Sequence, residues 1–557
     1  MKNQGEATEN TENTESAENA RPKTGRLTEM RIANFKAFGD EQSLPIKPLT
    51  LIFGANSSGK SSLIHALLLA NHAVLEKGEV DVHRPKLAGQ SVDLGGFAEF
   101  VHQHDTKRSA VLEFAIRPEP FSSAVQTRLM RIRFEIGKAM HGPSGKQAIE
   151  TVGVSAIEVE LDDVAFLRIE RAHDDKLHIV NINLKHGLCG PFFERLQETY
   201  PEGHTFGAPI ESEDMALHEA YADQSYERFH PALVEAASKL PLTQEFMPTS
   251  SRPWDDNSDS YYYWREVWEQ TEEKEFGNKL GDIFTFYPEE WLKWIREQFH
   301  EVLEALRYLG PLRCYPAREF SGRHDEDPNW FSGGGHAWEV LRDDPAVLKQ
   351  VNEWLASLQG PGAMYELKPQ TPIRREAARK RLAAKLETES SKPVDLLQSA
   401  LSSTELILAD RQTGVEVTHR DVGVGISQVL PVLVHAFADE NQLVAIEQPE
   451  IHLHPALQAE LGDVFIKSAL GERQNTFILE THSEHLILRI MRRIRETHLK
   501  KLPKDMTPVY PKDVAVLYVE KDGSRSIVRE MPLNEMGELV KAWPGGFFEE
   551  SFREWFA

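Results

Sequence analysis

Gly54-x-x-x-x-Gly59-Lys60-Ser61 carries the densest chemistry in the chain. Two glycines five apart let a backbone curl until its N–H groups converge on an anion. A lysine and a hydroxyl follow where a helix would begin, adding charge and a metal ligand. Gly54, Ala55, Asn56, Ser57, Ser58, Gly59, Lys60, Ser61 and Ser62 together form a Walker A loop for a polyphosphate. Lys60 would reach the terminal phosphates and Ser61 would ligand Mg2+. An ordinary Gly/Ser turn would share the glycines, but four fixed positions and matching flanks favour the phosphate reading. Leu49 to Phe53 is an apolar run suited to a buried strand, and helical apolar spacing runs from Gly59 to about Leu75. ATP or GTP is the expected ligand.

A second set of polar residues lies far along the chain. Leu443-Val444-Ala445-Ile446 is a strand-like run ending in Glu447-Gln448-Pro449-Glu450. Carboxylates there could hold magnesium and a water. Thr476 to Leu479 repeats the pattern and ends in Glu480-Thr481-His482-Ser483. Before both, Asp421 to Gln428 is a glycine-rich stretch opening an apolar helix, with Gly425, Ser427 and Gln428 placed to meet a phosphate. His452, His454, His482 and His485 would make a transition-metal cluster, but residues at i and i+2 of an extended chain point apart, which disfavours it.

The order of these segments, with a strand over Leu27–Ile32 and the turn Asn34-Phe35-Lys36-Ala37-Phe38 ahead of the Walker A loop, resembles the heads of ABC-type ATPases, which include the SMC, Rad50, RecF and OLD families. Arg307-Tyr308-Leu309-Gly310-Pro311-Leu312-Arg313 and the terminal Trp543-Pro544-Gly545-Gly546-Phe547-Phe548 resemble the bacterial AAA-15/DUF3696 ATPases. The resemblance implies an α/β P-loop NTPase of ABC/SMC type, with an antiparallel β subdomain and a helical insertion. It makes Asn34 and Lys36 minor nucleotide contacts and Gln90 or Gln103 the Q-loop glutamine. Gly425, Ser427 and Gln428 become a signature loop serving the nucleotide of the opposite subunit. Glu447 takes the Walker B place at the metal, Ile451 to Pro455 the D-loop place, and His482 that of the γ-phosphate-sensing switch histidine. The family would close as a homodimer, or a higher homo-oligomer, around ATP and Mg2+, and act in genome defence or repair through a protein effector or nuclease. No acidic triad marks a built-in nuclease.

One departure bears on mechanism. The family's Asp-Glu pair is Glu447-Gln448 here, with Pro449 matching the proline that follows it. Gln448 can orient water but cannot take its proton. Turnover is then slow, or falls to Glu450 or His482. Alternatively the register shifts by one and Glu447 is the base.

The elements that must position these residues divide the chain into a polar tail (1–24), an N-lobe with the Walker A loop and alternating strands (25–185), an acidic helical insertion (186–305) and a C-lobe (306–557). The strands read as Ala110–Ile116, Met130–Ile136, Ile157–Leu161, Phe166–Ile169 and Leu177–Ile182, parted by Asp162-Asp163 and Asp174-Asp175. A hairpin is expected over Val514–Val519 and Ser526–Met531 around Asp522-Gly523. The insertion holds Trp254, Tyr261 to Tyr263, Trp264 and Trp268 without a sustained heptad, which excludes a long coiled coil.

A net charge of −24 over 557 residues argues against a surface that coats nucleic acid everywhere. DNA remains a candidate partner through Arg374 to Lys385, or through Arg489 to Lys504 in a RecF-like clamp. Two cysteines, Cys189 and Cys314, exclude a disulfide framework. No apolar run is long enough to span a membrane and no signal-peptide core is present, so a cytoplasmic protein is expected. A nucleotide-dependent scaffold that hardly hydrolyses ATP is the rival that Gln448 favours.

Overall fold

The computed structural model describes residues 25–121, 127–141, 149–172, 176–192, 274–313, 327–358, 365–370, 405–417 and 424–544, with isolated positions between 234 and 248. The chain enters on β1 (Arg26–Ala33) and β2 (Gln42–Pro45), then runs through β3 (Leu49–Gly54) into α1 (Lys60–Leu75). Next come β4 (Ala110–Arg117), β5 (Met130–His141), β6 (Ile149–Leu161), β7 (Val164–Arg171) and β8 (Leu177–Ile182). These join β1 and β2 in a seven-stranded antiparallel sheet, ordered β2-β1-β4-β5-β6-β7-β8. Period-two alternation sets its faces. Leu112, Phe114 and Ile116 of β4 meet Ile132 and Phe134 of β5 in the core. On the other face Arg131 pairs with Glu29, and Arg133 with Glu41 and Glu113. Asp162 and Asp163, at φ 52° and 64°, form the two-residue turn between β6 and β7.

α2 (Lys274–Glu304) leads into β9 (Leu306–Leu309), followed by α3 (Gly335–Asp343) and α4 (Pro345–Ser357). A small antiparallel sheet comprises β10 (Tyr365–Gln370), β11 (Glu405–Asp410) and β12 (Glu416–Val417). Then α5 (Val424–Phe437), β13 (Leu443–Glu447), α6 (Pro455–Leu470), β14 (Thr476–Glu480), α7 (Glu484–His498), β15 (Val514–Asp522) and β16 (Arg525–Glu530) complete the described chain. The larger sheet of this half is ordered β16-β15-β3-β14-β13-β9. β9, β13, β14, β3 and β15 are all parallel, and only β16 runs against them.

β3, β13 and β14 are buried along their whole length because both sheet faces are covered. Ile52, Ala445, Ile478 and Leu517 point toward α1, which lies between this sheet and the antiparallel one. Leu51, Phe53, Val444, Ile446 and Leu479 point to the opposite core with residues of α3 to α7. Trp543, from the DUF3696-like end, sets its ring edge-on to Phe53 at 5.3 Å and so braces the strand that carries the Walker A loop.

The strand–loop–helix context, the antiparallel subdomain and the terminal hairpin agree with expectation. The lobes divide differently from the sequence reading. β3, placed there in an N-lobe, is the centre of a sheet otherwise built from residues beyond 305. β2 and the first half of β6 are strands that the sequence pattern does not mark, being short or polar. Of the expected helical insertion, α2 and scattered positions fall within the described residues; Trp254, Tyr261 to Tyr263, Trp264 and Trp268 fall outside them, as do the tail, Arg374 to Lys385, Asp421 to Gly423 and Asp174-Asp175.

Candidate functional site

All five parallel strands end on one edge, which is where ligands bind in open α/β sheets. Gly54 closes β3 at φ 147°, where a Cβ would lie 2.2 Å from Val519 O, so only glycine fits. Ser57 at φ 58° and Gly59 at φ 100° complete the curl, leaving Ala55, Asn56 and Ser57 on its open side. Gly59 caps α1 without a side-chain hydrogen bond, so the first helical N–H groups face into the loop. The Lys60 Nζ donates to Gly54 O at 3.1 Å and Ala55 O at 2.9 Å, and lies 4.0 Å from Glu480. Burial lowers its pKa, opposed by the charges of Glu480, Glu447 and Glu450.

Glu447 and Glu480 end β13 and β14 in register. Both are buried, and the Ser61 hydroxyl at the head of α1 lies near enough to both to draw their pKa values down. Tyr308 of β9 donates its hydroxyl to Glu447 Oε1 at 2.7 Å. Desolvation, then the neighbouring Glu480, pushes Glu447 up to about 7. Glu480 is also raised by burial, against the pull of Ser61 and Lys60, and its Oε2 has no partner. Two carboxylates and a hydroxyl gathered beside Lys60, with one oxygen unsatisfied, suit a hard divalent cation and a polyphosphate. Ser61 and Glu447, the residues expected at the metal, are thus brought together.

Gln448 has φ 48° and donates its N–H to Glu480 O at 2.7 Å. Glu450, also buried and raised by desolvation, accepts the His482 N–H on Oε1 at 2.6 Å, while its Oε2 is unpartnered. His482 is half-buried, and desolvation and then Lys60 lower its pKa. Glu447, Gln448, Glu450 and His482 therefore cluster at the sheet edge.

Lys36 lies close by, with Nζ 2.9 Å from His65 Nδ1. Burial brings Lys36 down to about 8 despite Glu447 and Asp93, and holds His65 at about 3 with help from Lys36. His65 is therefore neutral, with its Nε2–H turned toward Glu447 Oε1 at 3.8 Å. Asn34 departs from its expected role. Its side chain is buried and donates to Arg108 O and Ser109 O, pinning the turn instead of facing a nucleotide. Of the Q-loop candidates, Gln90 donates its backbone N–H to Asn329 Oδ1, and Gln103 donates its side-chain amide to Ser524 of the terminal hairpin.

The signature residues also differ from expectation. Ser427 is fully buried, and Gln428, 5% exposed, donates its amide to Arg313 O at 3.2 Å within the same chain. Packing of α5 against the core turns both inward, so of the three only Gly425 is partly exposed. Arg313 answers by donating to Gln428 O, Glu447 O and Gln448 O. The four-histidine cluster is not assembled; His454 caps α6, and the described residues contain no group of three or more His, Cys, Asp or Glu arranged for a metal. Arg489 and Arg493 pair with Asp463 of α6, so this basic stretch braces two helices and its charge is partly spent there, which weakens the clamp reading.

Family models match the chain in three consecutive blocks. An "AAA ATPase domain" covers residues 26–301, an AAA domain model whose description names the AbiEii toxin of a Type IV TA system covers 303–489, and "Protein of unknown function (DUF3696)" covers 509–556. The chain belongs to this family of AAA ATPases. Comparison with curated proteins gives no match. Solved structures that align with it include an SmcHead bound to the C-winged helix domain of ScpA, at 11% identity and TM-score 0.37 over 91% of this chain and 98% of that one. An Smc head domain derived from Pyrococcus furiosus, bound to the C-terminal domain of ScpA, aligns at 12% and 0.35, over 91% and 97%. The SMC head domain from Thermotoga maritima aligns at 9% and 0.32, over 91% and 99%. No helix among the described residues is long and apolar enough to cross a membrane.

Four residues of this ATPase's site were not singled out by sequence: His65, Tyr308, Arg313 and Glu480. Glu480 had a signal, since it ends an apolar strand just as Glu447 does. The ATPase should also show an unusual pH dependence. The folded pKa of Glu447 lies above its unfolded value, so its contribution is fully present below about pH 4.3 and is lost as pH rises toward 7. In EDTA without nucleotide, stability should fall across this window by on the order of 2–3 kcal/mol, and Glu447→Gln should flatten the fall. Urea midpoints between pH 5 and 8 provide the check; a wild-type profile no steeper than that of the variant would count against it.

Proposed function

We propose that this ATPase binds Mg-ATP on Gly54–Ser62 and hydrolyses it slowly. The observation that supports this best is the Ser61 hydroxyl meeting Glu447 and Glu480 beside Lys60. The loop N–H groups and Lys60 would bind the phosphates, and Ser61 with Glu447 would hold the metal. Mg2+ there would neutralise charge on the transferring phosphoryl group. Gln448 would orient the attacking water, and Glu480, Glu450 or His482 would receive its proton. The raised carboxyls suit proton acceptance better than a fully solvated acid would. Lys36 would sit at the rim of the nucleotide.

The reading extends to a homodimer closed around ATP that controls a protein effector in genome defence or DNA repair. The toxin–antitoxin wording attached to one matching family model supports the defence role, and the ScpA-bound heads offer an analogy for a protein partner. Phosphate release should rise more than linearly with protein concentration in the low-micromolar range, with or without DNA. A rate per chain that is independent of concentration would remove the dimer from this proposal. The second reading, a nucleotide-dependent scaffold with little hydrolysis, is favoured by the amide of Gln448 where a carboxylate base is usual. Tight Mg-ATP binding without measurable phosphate release would establish it.

A further inference from the structure

We infer that Arg313 is a positioning residue that locks α5 to the end of β13, so that the signature helix and the Walker B carboxylate move as one unit. The inference deepens the proposed nucleotide reading and rests on it. Arg313 is 6% exposed. Its Nη1 donates to Gln428 O at 3.0 Å, and its Nη2 to Glu447 O at 3.0 Å and Gln448 O at 2.9 Å. Gln428 returns a bond from its amide to Arg313 O. A single rigid guanidinium therefore ties the second turn of α5 to both backbone carbonyls at the point where β13 ends. A lysine could keep the charge but not this divergent fork.

The grip falls where the backbone most needs holding. Gln448 sits at φ 48°, a left-handed conformation that a glutamine adopts only when its surroundings impose it. Its N–H is held by Glu480 and its carbonyl by Arg313, so the two contacts fix the peptide that aims Gln448 and Glu447.

Two buried atoms next to this arrangement lack partners: Arg313 Nε and Glu450 Oε2. Glu450 is the charge that favours the Arg313 guanidinium, and its other oxygen takes the His482 N–H. Pairing the two would satisfy both atoms and give the fork a second seat toward the switch histidine. An element with two such arrangements can carry coupling between two sites. None of the Arg313 contacts is to the phosphate-binding loop, so its loss should spare nucleotide affinity.

The test uses the full chain, a fluorescent ATP analogue with Mg2+ for affinity, single-turnover hydrolysis, and hydrogen exchange across 424–437 with and without Mg-ATP. Wild type should gain protection in 424–437 when ATP binds. Arg313→Lys should bind the analogue within about threefold of wild type, yet lose the protection gain and at least tenfold in the hydrolysis rate, as expected of a small displacement of reacting groups. Gln428→Leu keeps Arg313 and removes only the returning bond; it should lose part of both, and decides the matter if Arg313→Lys does not fold. Unchanged protection and rate in a folded variant would overturn the inference, as would affinity and rate falling together with melting temperature. Wild type that binds ATP without protecting 424–437 would also overturn it. Wild type that binds no Mg-ATP would instead overturn the nucleotide reading itself.

Discussion

Lys60→Ala should abolish the rise in melting temperature that Mg-ATP gives the wild-type protein. A ligand that binds only the folded state at a hundred times its dissociation constant stabilises by about 3 kcal/mol, so the wild-type shift should be plain. Its loss follows from the position of Lys60: the ammonium lies inside the loop, on the carbonyls of Gly54 and Ala55 and beside Glu480. The same contacts add a second effect. Without nucleotide, the variant leaves Glu480 without its nearest cation and two carbonyls without a donor, which should cost about 1–2 kcal/mol of stability. Lys60→Arg should retain charge but crowd the loop, giving a weak shift. Equal nucleotide-dependent shifts in wild type and Lys60→Ala would defeat the phosphate-loop reading.

The second large effect concerns Glu447 and Gln448. Glu447 faces Ser61 and is held by Tyr308, which supports it as the metal carboxylate and favours the register in which Gln448 fills the usual catalytic position. Glu447→Gln should then weaken magnesium binding and hydrolysis together. Gln448→Glu should raise turnover, because general-base catalysis is typically worth about a hundredfold or more. The added carboxylate would join Glu447, Glu480 and Glu450 in a buried space, so its own pKa would be driven up and the gain should grow with pH. Single-turnover hydrolysis and magnesium titration on both variants separate the alternatives. The register would be wrong if Glu447→Gln held ATP unhydrolysed at normal magnesium affinity while Gln448→Glu changed nothing.

The chain's local chemistry was legible wherever one segment contains its own reason. The Walker A loop is continuous, with glycines at the positive φ values of 147° and 100° and the lysine at its helix start, so its conformation can be read from residue types alone. The apolar runs ending in Glu447 and Glu480, the Asp162-Asp163 turn and the terminal hairpin were equally local. What the order of residues could not reveal was which surfaces these segments would turn toward one another. Tyr308 reaches Glu447 across 139 positions, and Arg313 grips Gln448 across 135, because parallel strands bring distant ends to one sheet edge. The same packing turned Ser427 and Gln428 inward and gave Asn34 a turn to hold, since burying the apolar face of α5 or the β1 turn fixes where their polar neighbours must point. Residue types along the chain determined the phosphate loop and its likeness to an ATPase head; only the tertiary structure decided which carboxylates, and which single arginine, stand around it.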